Sequence, residues 1–322
     1  MVTDSHNLDK KAKAVWAISG GKGGVGRTLL AANLGILMAD DGYDVIVADC
    51  DLDGPTLHTA LGIEPPDKTL SDYTSGYTQS LEEIVTDTPI NGLRIISGAK
   101  NAMNSSNYNH SAKSKLISSL HTLECDYLIA DTGSGACFDV IDLFLSADIG
   151  ILVTTPELSS IELTYRFIKS LFYRQLRTLV EQPQYKDYVD EIMNGKLSSD
   201  LLEIVEKVLK KVKGSDITLE QRVEKELFNL DLKLVVTMAR TRQDQLTGFS
   251  MAEIVKKYYG LNLRPIGHIP YDDRMPETTK KRTPFIREYD TSDTAAFFNI
   301  AKKELLKSTM GKEEKQLDLI ES

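Results

Sequence analysis

A chain of 322 residues, 41% hydrophobic and 26% charged, has the make-up of a soluble globule whose core needs no disulfide or metal staple. Its formal net charge of −9 argues against broad, non-specific nucleic-acid binding, which requires a cationic surface. Three cysteines, Cys50, Cys125 and Cys137, form no C-x-x-C pair; this excludes a zinc or iron–sulfur site built within one chain and points to a reducing compartment, with each thiol read as a small buried hydrophobe.

No apolar run approaches the roughly 18 residues that cross a bilayer. The opening MVTDSHNLDKKAKA lacks the apolar centre of a signal peptide, so a cytoplasmic location is expected. In chain order, AVWAIS (14–19) is a short apolar run that ends in glycines, and residues 27–40 then place apolar positions at helical spacing up to a stop at DDGYD. DVIVADC (44–50), LRIISG (93–98), DYLIADT (126–132), GILVTTP (150–156), LKLVVTM (232–238) and PIGHIP (265–270) read as further strands, most of them separated by segments of helical length. Near-continuous apolar strands alternating with helices predict an α/β three-layer sandwich, a mostly parallel sheet of about seven strands covered on both faces.

One stretch breaks the rhythm. Residues 175–231 carry no strand signal; Leu201, Leu202, Val205, Val208, Leu209 and Val212 share a helical face, and Thr218 followed by Gln221 fits a capping box. This predicts a helical insertion within a single domain over 1–322, either covering a sheet edge or docking a partner. The C-terminal stretch 290–322 reads as a closing helix with Phe297, Ala301 and Leu305 on one face, followed by a polar, acid-rich tail. An interfacial helix would set lysine or arginine against bulky apolar groups, so membrane contact is not expected there.

The chemistry concentrates in SGGKGGVGRTLL (19–30). A strand leads into glycines that turn tightly and aim backbone N–H groups inward, and the following helix adds its positive end; together they form an anion site sized for a polyphosphate. Thr28 supplies a hydroxyl placed for Mg²⁺. Arg27 stands where G-x-x-x-x-G-K-[ST] has lysine, keeping the charge but presenting a planar fork. Lys22, near the start of the loop, projects away from the phosphates of its own chain and toward those of a second copy.

With Lys22 included, GGKGGVG-[KR]-T resembles the deviant Walker A loop of the MinD/ParA ATPases, a family that includes the nitrogenase iron protein and the flagellar-number regulator FlhG. The resemblance implies that ATP and Mg²⁺ are the cofactors and that Gly21, Lys22, Gly23, Gly24, Val25, Gly26, Arg27, Thr28 and Leu29 contact the nucleotide. It also makes Lys22 the signature lysine, contributed across an ATP-sandwiched homodimer. DVIVADCDLDGPTLHTALG is similar to the family's second motif, implying that Asp51 polarises the attacking water and that Asp49 supports the phosphates and Mg²⁺; carboxylates leaving the carboxyl end of a parallel strand do point into the ligand crevice. DYLIADTGSG resembles Walker B and switch II, with Asp131 holding a water on Mg²⁺ and the Gly135 N–H facing the γ-phosphate.

LKLVVTMAR resembles a strand that often ends in an adenine-reading asparagine, a position held here by Thr237, and GHIPYDD, with Pro270, resembles the loop flanking the base. The likeness spans about 14–175 and 232–290; the insertion and TTPELSS look closest to the FlhG-like branch. It implies a slow ATPase that dimerises as a switch and positions a cellular structure, flagellar or division related, through a protein partner or cargo that the sequence does not identify. The competing reading is a nucleotide-gated scaffold with little turnover, motivated by Arg27 and Thr237. A metabolic ligase or reductase of the same superfold would need a substrate pocket of which the sequence gives no sign, and the metal-carrier branch would need paired cysteines.

Overall fold

The computed structural model describes residues 12–51, 54–98, 110–180, 183–191, 201–212, 221–228 and 230–320. Among these residues eight strands form one sheet in the order β3-β4-β2-β5-β1-β6-β7-β8. They are β1 (Ala14–Gly20), β2 (Val45–Asp49), β3 (Thr86–Asp87), β4 (Leu93–Ile96), β5 (Tyr127–Ser134), β6 (Ile149–Thr154), β7 (Leu232–Ala239) and β8 (Leu263–Pro270). Every neighbouring pair is parallel except β3–β4. The eighth strand, where seven are expected, is β3. It is only two residues long and forms an antiparallel edge, so it carries no alternation for a sequence pattern to reveal.

Burial on both faces explains the unbroken apolar strands. Along β1, Trp16 and Ile18 point into one core with Leu30, Leu34 and Met38 of α1 (Arg27–Asp40), while Ala17 faces a second core with Phe144, Phe167 and Phe172. Val15 joins a third cluster with Ile46, Ile96 and Leu128. Remaining helices are α2 (Leu57–Ala60), α3 (Leu70–Thr74), α4 (His110–His121), α5 (Phe138–Ser146), α6 (Leu158–Leu179), α7 (Pro183–Glu191), α8 (Leu201–Val212), α9 (Arg242–Tyr259), α10 (Arg274–Lys281), α11 (Phe285–Glu288) and α12 (Asp293–Ile320).

The expected boundary of the insertion at 175 falls inside α6, whose buried stripe of Phe167, Ile168, Leu171, Phe172, Leu176 and Leu179 runs on without a break. Val205 and Val208 of α8 are buried as their spacing predicts. Thr218 lies outside the described residues, whereas Gln221 is helical and leads into a π-helix over Val223–Leu227. The closing helix α12 packs Ala295, Phe298, Ala301 and Leu305 onto the sheet; Phe297 meets His268 of β8, and the indole N–H of Trp16 donates to Thr309 Oγ1 at 3.2 Å. The acid-rich end of the chain continues α12 to Ile320. All three thiols are free, but only Cys125 is buried: Cys50 is half-buried and Cys137 exposed at the start of α5, which corrects the reading of all three as core residues. Among the described residues no helix is long and apolar enough to cross a membrane.

Candidate nucleotide site at the carboxyl edge of the sheet

β1 ends at Gly20, and α1 begins at Arg27, with Gly26 at its N-cap in the left-handed conformation (φ 88°). That backbone suits glycine and puts the first helical turn across the end of the strand. The helix has no side-chain N-cap and no acidic residue in its first turn, so the N–H groups of Arg27, Thr28 and Leu29 form an uncompensated positive end. Leu29 turns its side chain into the core, and its carbonyl accepts Asn33 Nδ2 at 2.7 Å, which leaves its backbone N–H as its only share in the site.

The loop leans on two supports. A Cβ at Gly21 would lie 2.3 Å from the backbone of Leu163 in α6, so this position requires glycine for close approach. Farther on, the buried Val25 offers its carbonyl to the Thr237 hydroxyl at 2.7 Å, and the same hydroxyl also reaches the Thr154 carbonyl at 3.2 Å. Gly23 and Gly24 between them are exposed.

The two cations part company across the loop. Arg27 is buried, 7% exposed, with its guanidinium 3.8 Å from Asp51 Oδ2 and 3.9 Å from Asp131 Oδ1. Its Nη1 is buried without a hydrogen-bond acceptor. A guanidinium that reaches carboxylates only at the limit of ion pairing, with a spare buried donor, suits an anionic oxygen inside the loop. Lys22 faces the other way: its ammonium donates to Glu157 Oε2 at 2.8 Å and to Ser159 Oγ at 3.2 Å at the start of α6, outside the cradle.

Three carboxylates converge below the loop. Asp131 on β5 accepts the Thr28 hydroxyl at 2.5 Å; burial pushes its carboxyl upward, opposed by the Arg27 charge. Asp49, its register partner on β2, accepts backbone N–H groups from Leu57 at 2.9 Å and Asp51 at 3.2 Å. Burial outweighs those bonds and pushes Asp49 up to about 7, with the Asp131 charge adding to the rise. Asp51 Oδ1 accepts the Gly54 N–H, and a Cβ at Gly133 would sit 3.1 Å from the Asp51 carboxyl carbon. A hydroxyl and carboxylate oxygens form a donor set for a hard divalent cation that keeps waters and phosphate oxygens in its shell. Among the described residues no cluster of three or more His, Cys, Asp or Glu could cage a metal unaided.

Two expectations change. The Gly135 N–H, expected to face a γ-phosphate, donates to the Gly20 carbonyl at 3.3 Å, tying the segment after β5 to the loop. Thr237 was expected at the base, but it is 5% exposed, and its hydroxyl is turned inward to brace the loop. Pro270 ends β8 opposite Ala239, half-buried at the same sheet edge. Glu157 and Ser159, within TTPELSS, carry no sequence signal of this role, because nothing in local spacing reveals a partner 135 residues away.

A family model described as the CobQ/CobB/MinD/ParA nucleotide binding domain matches residues 16–285. The antiactivator FleN of Pseudomonas aeruginosa is 31% identical over 180 residues, 53% of this chain and 63% of FleN. The chain spans less than two thirds of the length of this and other curated relatives, 58% for a putative septum site-determining MinD of Chlorella vulgaris. Among solved structures, the cell division ATPase MinD of Pyrococcus furiosus superposes with a TM-score of 0.64 at 23% identity, covering 92% of this chain and 99% of its own. MinD of Pyrococcus horikoshii complexed with Mg-ADP gives 0.62 at 22% identity over 91% and 95% of the two chains. At these identities the two structures show the shared fold.

Proposed function

The chain belongs to the CobQ/CobB/MinD/ParA nucleotide-binding family, and from that premise we propose that it is an ATP-dependent dimerisation switch with slow hydrolysis that positions or regulates a cellular structure. The observation that carries this reading is the opposed placement of the two cations: Arg27 among carboxylates beneath the loop, Lys22 outside it. Arg27 serves the phosphates of its own chain. Lys22 serves those of a second copy, in the manner of a deviant Walker A loop.

Triphosphate binding rests on the N–H groups of residues 21–29 and the spare Nη1 of Arg27. Mg²⁺ would be held by the Thr28 hydroxyl and, through water, by Asp131, with Asp49 beside them; it supplies charge neutralisation of the phosphate oxygens. Asp51 orients the attacking water from the loop that Asp49 anchors. A positioning role is supported by the likeness to FleN and to septum site-determining proteins, and a protein partner by the likeness to a MinD solved in complex with MinC. The relatives include both an antiactivator and division proteins; the FlhG-like branch is our preferred placement, with the helices over 175–231 as the partner surface.

The scaffold reading has one observation of its own, the buried guanidinium of Arg27 3.8 Å from Asp51, which places a competing cation beside the carboxylate that would direct water. Both readings are tested on Asp51→Ala, by light scattering with ATP and by phosphate release. The switch predicts that the variant keeps ATP and accumulates as a dimer, whereas the parent turns over. A silent parent that dimerises equally well establishes the scaffold. A variant that hydrolyses at the parent rate removes Asp51 from the mechanism.

A further inference from the structure

The side chain of Arg27 crosses the edge of the sheet. Its stem runs past the end of β1, where a Cβ built on Gly20 would meet Arg27 Cδ at 3.4 Å, so packing fixes its course. The guanidinium then straddles carboxylates from two different elements. Nη2 lies 3.8 Å from Asp51 Oδ2 in the segment after β2, and Nη1 lies 3.9 Å from Asp131 Oδ1 on β5. The other oxygen of Asp131 is taken by the Thr28 hydroxyl. Asp49, in register with Asp131 on the neighbouring strand, completes the acidic cluster.

A lysine at this position could not make that span. Its ammonium would end where the guanidinium carbon of an arginine stands, as a single point of charge, whereas the guanidinium is a planar fork of five donors. Part of the fork can face the carboxylates while the remaining donors face an anion on the other side. Nη1, buried and without a hydrogen-bond acceptor, retains donors for that purpose.

Phosphates in the loop bring several negative charges close to Asp49, Asp51 and Asp131, and in a water-poor site that repulsion is large. A divalent cation ordinarily relieves it. No cluster of three or more His, Cys, Asp or Glu among the described residues could hold such a cation unaided, so the metal enters with the phosphates, whereas Arg27 is part of the chain. We infer that Arg27 is a built-in counter-cation, which lets the loop take nucleotide with little dependence on Mg²⁺, unlike the same loop carrying lysine. The guanidinium lies between the carboxylates and the phosphate site and supplies there part of the charge that a divalent cation brings.

This rests on the loop being a phosphate site, as proposed above, and the experiment separates the two. Calorimetry follows ADP binding to the full chain with Mg²⁺ and with chelator, for the parent and for Arg27→Lys. ADP fills the loop without the γ-phosphate that the proposed dimer needs. In the parent, chelator should weaken ADP by less than about tenfold, no more than one charge-assisted contact. In Arg27→Lys the same step should weaken it at least about tenfold more than in the parent. The quantity read is a ratio between two buffers within one protein, which a general loss of loop structure does not move, and the melting temperature without nucleotide reports the fold separately. Equal ratios in the two proteins overturn the inference and leave the loop assignment standing. So does a parent that loses more than about a hundredfold on chelation, a result that needs no variant. If the parent binds ADP in neither buffer, the loop assignment fails and the counter-cation with it.

Discussion

The two halves of the glycine loop rest on different supports, and the difference sorts their charges. The first half, through Gly21 and Lys22, lies against α6, with its lysine 38% exposed and held by a carboxylate that is itself 64% exposed. The second half, through Val25 and Arg27, lies over β5 and β7, with its arginine 7% exposed among Asp51 and Asp131. Two cations five positions apart therefore stand in different media. The solvated one gives up its partner at little cost, and the buried one belongs to the electrostatics of the fold.

Removing the buried cation sharpens that contrast most. Arg27→Ala leaves Asp131 in the interior without its opposing charge, and a broken buried pair costs about 3 kcal/mol or more at neutral pH. Urea unfolding without nucleotide measures it. The deficit shrinks as pH falls, because Asp131, already pushed up by burial, takes a proton and the uncompensated charge disappears. Arg27→Lys keeps the charge and should recover most of the loss. An alanine variant as stable as the parent breaks the comparison, since Arg27 would then be as dispensable as a surface residue.

Asp49 gives the next largest effect, through pH alone. Its folded carboxyl is raised to about 7 from an unfolded value of 3.8, so the folded state binds the extra proton between those limits. Its contribution to stability is present below the unfolded value and is lost as pH rises through the folded one. Between pH 5 and 8 the parent should lose about 2–3 kcal/mol that Asp49→Asn does not lose, so the variant's melting temperature gains on the parent's as pH rises. Parallel melting curves across that range, recorded with chelator and no nucleotide, contradict the assignment.

Gly21 and Gly23 test the supports themselves. A Cβ at Gly21 meets the backbone carbonyl of Leu163 at 2.3 Å and the Thr164 nitrogen at 2.6 Å, and no side chain can move aside to relieve it. Gly21→Ala should cost roughly 1–3 kcal/mol. At Gly23 the nearest atom is Ser134 Oγ, 3.9 Å away, so Gly23→Ala should stay within about 0.5 kcal/mol of the parent in chemical denaturation. Equal losses would show that the first half of the loop does not lean on α6.

The same division separates what the sequence discloses from what it hides. Strand–loop–helix order and the placement of Asp49, Asp51 and Asp131 at strand ends follow from local patterns, because glycines, apolar runs and the aspartates that end them are neighbours in the chain. The supports are long-range contacts. The Thr237 hydroxyl meets a carbonyl 212 residues away and Lys22 meets Glu157 across 135, and no periodicity encodes either. β3 leaves no sequence signal because two residues have no pattern, and α6 runs past the expected boundary at residue 175 because its apolar stripe crosses it.

The smallest expected effect on the isolated chain belongs to Lys22, and it discriminates best. An ion pair between two exposed side chains is worth about 0–1 kcal/mol and weakens with salt, so Lys22→Ala should barely move the melting temperature. The ammonium faces α6, outside the cradle, so removing it should also leave nucleotide affinity of the monomer nearly unchanged. On the proposed reading Arg27→Ala, by contrast, removes a charge-assisted phosphate contact and should lower that affinity about ten- to a hundredfold. On the sandwich-dimer proposal the order then reverses for assembly: Lys22→Ala eliminates the ATP-dependent dimer and its turnover, whereas the parent forms it. Calorimetry on the monomer and light scattering with ATP, applied to both variants, give four numbers and one pattern. If the two substitutions cost the monomer the same affinity, both cations act within one chain, and a loop that serves two copies is ruled out.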